Sequence, residues 1–115
     1  MAKIIDNSLG EVNLISSTTS VTGNIASESD IRIDGTLLGN LDTKGRLIIG
    51  ANGKIEGDIT CKSAEIEGTV KGKIDTEDLL SLKSTASFIG NIITTQLYIE
   101  PSALFQGHCE MRRNK

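Results

Sequence analysis

A glycine followed two residues later by an apolar side chain (cysteine in the last case) recurs six times along the chain: GNI from Gly23, GNL from Gly39, GDI from Gly57, GKI from Gly72, GNI from Gly90 and GHC from Gly107. Successive glycines stand 16, 18, 15, 18 and 17 residues apart. Self-similarity at so short a period is the mark of a repeat architecture, because one such unit cannot bury an apolar face alone and must stack on its neighbours.

Aligning the units on that glycine sorts the chain into columns. Two residues before it come Val21, Leu37, Ile55, Val70, Phe88 and Phe105, and two after it Ile25, Leu41, Ile59, Ile74, Ile92 and Cys109. Four before it the residue is always small: Thr19, Gly35, Gly53, Gly68, Ala86 and Ala103. Four after it stand Ser27, Thr43, Cys61, Thr76, Thr94 and Met111. Further upstream lies an apolar pair, Ile31 with Ile33 in the second unit and Leu97 with Ile99 in the last, reduced to Ile15 alone in the first. Intervening residues such as Arg32, Asp58, Lys71 and Asn91 are polar. A period of two with one wet face is strand alternation.

Hairpins would need turn signals every 8 to 12 residues, whereas here each column returns to itself after a whole unit. The pattern therefore predicts an all-β, single-stranded parallel β-helix of about six turns, a β-solenoid rising roughly 4.8 Å per turn. Glycines and small residues fall where the section must bend, through a positive φ or a close backbone approach. LIIGANG, LSLKSTA and LYIEPSA carry two residues more than IRIDG and AEIEG and loop outward, with Pro101 in one such insert where its missing N–H breaks no ladder. Residues 13–111 form the coil, with a flexible tail at 1–12 and a short one at 112–115.

Large-ring cores are disfavoured, since aromatics make up only 3% of the chain and tryptophan is absent. A net charge of −3 favours neither nucleic acid nor an anionic membrane as partner. No apolar run is long enough to span a bilayer and MAKIIDNSLG lacks the apolar core of a secretory signal, so the expected location is cytoplasmic. Cys61 and Cys109 lack CxxC spacing and read as reduced, stacked side chains. His108 sits in an outward slot, and the carboxylates of TEDLL in a solvated turn. GANGKIEG holds a GK pair without the phosphate cradle GxxxxGK[ST]. The chain reads as no enzyme, with no catalytic residue, metal site, cofactor or nucleotide.

Function must then come from shape. Both ends of a β-coil expose unpaired strand edges, which solenoids normally cover with a polar cap. Only EMRRNK follows Cys109, and the 14 residues before Ile15 are too few and too glycine-broken for a robust capping helix. The last turn carries Leu97, Tyr98, Ile99, Leu104 and Phe105. End-to-end self-association is expected, through Phe105, Leu97, Ile99 and Leu104 at one end and Ile15, Val21 and Ile25 at the other.

In the order and spacing of IDGTLLGNL, GANGKIEGDI, IEGTVKGKI and LYIEPSALFQG, the chain resembles the bactofilins, polymer-forming cytoskeletal proteins of bacteria, over about residues 13–111. The resemblance implies a right-handed β-helix of triangular section that polymerises without nucleotide into non-polar filaments, with Phe105 matching the C-terminal apolar residue that supports assembly. It also implies a scaffold for cell-wall enzymes and cell shape. Some members attach peripherally to the inner membrane by an apolar N-terminal tail, which Ile4 and Ile5 match here. Two readings compete: a left-handed hexapeptide-repeat acyltransferase trimer, whose anchors would recur every six residues where Ile49, Ile55, Ile59 and Ile66 are spaced 6, 4 and 7, and a monomeric β-helical binding rod.

Overall fold

The computed structural model describes residues 12–112 and contains no helix among them. Twelve strands wind as one coil: β1 (Val12–Ile15), β2 (Ser20–Thr22), β3 (Ile25–Ser27), β4 (Asp30–Ile33), β5 (Thr36–Leu38), β6 (Leu41–Thr43), β7 (Arg46–Ile49), β8 (Lys54–Cys61), β9 (Ser63–Ile66), β10 (Thr69–Leu82), β11 (Ser87–Ile99) and β12 (Leu104–Met111). All pairings are parallel and run from one turn to the next. The result is the parallel β-solenoid of about six turns that the repeat predicts, with three faces per turn.

Register reproduces the columns residue for residue. Val21 pairs with Leu37, Leu37 with Ile55, Ile55 with Val70, Val70 with Phe88 and Phe88 with Phe105. On the first face Ile31 pairs with Leu47, Leu47 with Ala64, Ala64 with Leu80 and Leu80 with Leu97. These residues point inward to a single core in which Leu37, Ile55, Ile66, Ile74 and Phe88 are fully buried. Burying each such side chain stabilises the coil by roughly 1.5–3 kcal/mol before conformational entropy is counted.

Each turn has three corners, and each corner has its own device. At the second, the six repeat glycines all hold φ between +129° and +150°. Backbone there is closed to L side chains. It is also stacked: a Cβ on Gly39, Gly57, Gly72, Gly90 or Gly107 would run into the carbonyl of the glycine one turn below. Both reasons for glycine therefore apply together.

The first corner comes in two lengths. Where it is long, a reverse turn closes it, with Gly53 N–H donating to Gly50 O, Ala86 N–H to Lys83 O and Ala103 N–H to Glu100 O. Thr19 N–H donates to Ser16 O in the same way, so the first turn also carries an insert, one hidden in the featureless ISSTTS. Short corners at Gly35 and Gly68 lie directly against the backbone of the long corner beneath them.

Hydroxyls close the third corner. Thr43 Oγ1 donates to Ser29 O at 2.6 Å and accepts from Gly45 N–H, while Thr94 Oγ1 lies 3.1 Å from Asp78 O and 3.0 Å from Gln96 O. This explains why four of the six residues in a column at the core's edge are Ser or Thr: the carbonyls at the bend need a donor that the sheet does not supply. Glu77 and Asp78 of TEDLL sit at this corner opposite Thr95 alone, one residue more than in the turn above, where the register between β10 and β11 shifts after Thr76.

Candidate functional site

The ends of the coil are built from the same columns as its middle, but among the described residues each has a face with no turn against it. Among the described residues β1, β2 and β3 each pair with one strand only, and β12 pairs with β11 alone. Each end thus presents a strand edge whose N–H and C=O groups on the axial side await a partner.

At the C-terminal end Phe105 packs on Phe88, ring centroids 5.8 Å apart and planes tilted by 55°. Phe88 is fully buried, whereas Phe105 is half-buried because no turn lies beyond it. Around it in the inward columns stand Leu97, Ala103 and Cys109, all half-buried, with Ile99 41% and Met111 51% exposed. At the N-terminal end Ile15, Val21 and Ile25 pack against the core from the first turn and are half-buried. The structure therefore places six of the seven expected interface residues in the inward columns of the two end turns.

Leu104 is the seventh, and it lies elsewhere. It pairs with Ser87 in an outward column that also holds Ser20, Thr36, Lys54 and Thr69, and it is 64% exposed on the flank of the last turn. Ile4 and Ile5 lie outside the described residues.

Asn13 is a residue that sequence reasoning passed over. It pairs with Ile31, so it occupies the apolar column that appeared vacant in the first unit. Its Nδ2 donates to Ser27 Oγ at 3.0 Å, and Ser29 Oγ lies 3.4 Å away. The signal was its place two residues before Ile15, as Ile31 stands two before Ile33.

Charge is unevenly spread over the turns. Residues 12–29 hold Glu28 alone and residues 79–95 hold Lys83 alone, whereas the turns between them are densely charged. Three ion pairs sit on the flanks, Arg32 with Asp34 at 2.9 Å, Arg112 with Asp75 at 2.8 Å and a looser one of Lys83 with Glu100 at 3.8 Å. Arg112, assigned to the tail by its place after the last column, is held along the coil: its N–H donates to Thr94 O and its guanidinium also reaches Thr76 O.

Both thiols are free. Cys61 is buried beside Thr76, and burial pushes its thiol up to about 12. Cys109, half-buried in the last turn, is also raised by burial. Neither environment activates a nucleophile. His108 is exposed in the outward column of Asn24, Asn40, Asp58, Lys73 and Asn91, where Asn40 N–H donates to Asn24 Oδ1 and Asp58 N–H to Asn40 Oδ1. A shallow depression of about 370 Å³ runs along this face between Asn24 and Asp58. Among the described residues no group of three or more His, Cys, Asp or Glu could hold a metal ion, and no helix is long and apolar enough to cross a membrane.

The coil agrees in fold with similar proteins. The family model for bactofilin, described as polymer-forming cytoskeletal, matches residues 13–110. Bactofilin BacO of Myxococcus xanthus (strain DK1622) is 32% identical over 98 residues, which cover 85% of this chain and 78% of that protein. A cryo-EM reconstruction of Thermus thermophilus bactofilin double helical filaments superposes with a TM-score of 0.81 at 30% identity, covering 87% of this chain and 99% of that one. Bactofilin BacA, solved by solid-state NMR, gives a TM-score of 0.79 at 29% identity over 90% of this chain and 98% of its own. With its six columns, its open ends and these matches along nearly its whole length, the chain belongs to the bactofilin family of polymer-forming cytoskeletal proteins.

Proposed function

We propose that this protein is a non-enzymatic cytoskeletal scaffold of the bacterial cytoplasm that assembles end to end, without nucleotide, into non-polar filaments and organises cell-shape or cell-wall machinery. The observation that carries the reading is the uncovered apolar end around Phe105, framed by a strand edge in register to accept further strands. Leu97 and Ile99 extend that joint, and Ile15, Val21 and Ile25 form the opposite one. Leu104 contributes from the flank, at the rim of the joint or beside it. Sparse charge on the first turn, where Glu28 stands alone, lowers repulsion as N-terminal ends approach.

Nucleotide independence is supported by how the glycines are used. In GANGKIEG, Gly53 and Gly57 already lie against the backbone of the preceding turn, so their amides form corners rather than a phosphate cradle. Peripheral contact with the inner membrane through Ile4 and Ile5, and recruitment of cell-wall enzymes, extend the same reading.

Electron microscopy of the purified protein in physiological salt, with and without added nucleotide and beside Phe105→Arg, tests the proposal. Filaments from the wild type alone, unchanged by nucleotide, are the expected result. Monodisperse wild-type particles would instead favour a monomeric binding rod.

A further inference from the structure

The two ends of the coil are unlike in chemistry, column by column. At the C-terminal end the inward positions are Leu97, Ile99, Ala103, Phe105, Cys109 and Met111, all apolar. The same columns at the N-terminal end hold Asn13, Ile15, Thr19, Val21, Ile25 and Ser27. There the polar members are tied to one another and to their neighbours: Asn13 to Ser27 and Ser29, and Thr19 to Ser16 through hydroxyls 3.0 Å apart.

These columns weigh against a joint that simply continues the coil from one copy into the next. Such a joint would lay Leu97 over Asn13 and Met111 over Ser27, stripping water from the amide and hydroxyl capacity that their mutual hydrogen bond leaves free and offering only aliphatic and thioether neighbours in return. Buried polar groups without added partners cost stability. Contacts of like with like avoid this. Two apolar ends exclude water around paired Phe105 rings, and two polar ends retain their hydroxyl and amide partners. A two-fold joint of either kind also sets the strands of the two copies antiparallel, a pairing at least as strong per residue as the parallel one.

We infer, on the basis of the filament reading above, that the joints of the polymer are unequal: a tight apolar joint between C-terminal ends makes a dimer, and weaker polar joints between N-terminal ends link the dimers. Filaments then grow and shorten by whole dimers, and loss of an N-terminal joint is the first step of disassembly.

Sedimentation velocity over a dilution series of wild type, Val21→Arg, Phe105→Arg and the double variant tests this, with Ile25→Lys and Met111→Glu as second variants of each end and circular dichroism melts to establish folding. The expected result is a dimer for Val21→Arg and Ile25→Lys, with self-association roughly a hundredfold or more tighter than that of Phe105→Arg and Met111→Glu, and a monomer for the double variant. Folded monomers from both single-end classes, as a head-to-tail joint requires, would overturn the inference while leaving filaments intact. Tighter dimers from Phe105→Arg than from Val21→Arg would overturn it too. A Val21→Arg dimer from a protein whose wild type never forms filaments would keep the tight joint and remove the filament reading.

Discussion

Phe105 repeats the position of Phe88 one turn later, in direct register and with the rings 5.8 Å apart, yet the two residues do different work. Phe88 has a turn on each side and is fully buried. Phe105 has one on a single side. Phe88→Ala should therefore destabilise the subunit by about 3–5 kcal/mol, while Phe105→Arg should cost the folded subunit only about 1 kcal/mol, the order of one aromatic contact, and abolish assembly. Denaturant melts of each variant at concentrations below assembly, set beside a pelleting assay, separate the two effects. Equal melting losses would contradict the assignment.

The glycine column offers a comparison within one chain. Gly57 holds φ +148° and a Cβ there would collide with the Gly39 carbonyl, whereas Gly23, at φ +129°, would meet nothing within 4 Å. Gly23→Ala should cost only the dihedral strain, about 1–3 kcal/mol. Gly57→Ala adds a backbone clash and should cost distinctly more, to the point of losing cooperative unfolding. Urea midpoints measured in the Val21→Arg, Phe105→Arg double background, where neither end associates, check the order.

Much of this was legible in the sequence because a coil repeats its environment: a position that is inward once is inward six times. Where the repeat breaks, the reading fails. Asn13 escaped notice since a polar residue in an apolar column looks like the end of the pattern, and only its hydrogen bonds to Ser27 and Ser29 reveal it as the pattern's last member. The insert at Ser16–Thr19 carries no glycine or proline to announce a turn. Leu104 was grouped with Phe105 by hydrophobicity although the alternation itself sends neighbours to opposite faces. Arg112 follows the final column, so no repeat could foretell its contact with Asp75.

Cys61 gives the coil a sensitivity to base. Its thiol ionises near its ordinary value of 9.0 in the unfolded chain but is pushed up to about 12 by burial in the folded one. Between those values the unfolded state binds fewer protons, so stability is full below pH 9 and falls as pH rises toward 12, by at most about 1.4 kcal/mol per pH unit from this group. Cys61→Thr, the residue found in the same column at Thr43, Thr76 and Thr94, should flatten that slope relative to wild type. Parallel slopes in melts from pH 8 to pH 11 would show that other groups carry it. Native Cys61 should also resist alkylation until the chain unfolds.

The stacked glycines have a mechanical consequence. Sliding one turn around the axis relative to the next would carry a side chain into a slot that admits no Cβ, so the column acts as a keyway that locks the turns against rotation. A fibre assembled from such coils should therefore yield to twisting at its joints before it yields within its subunits.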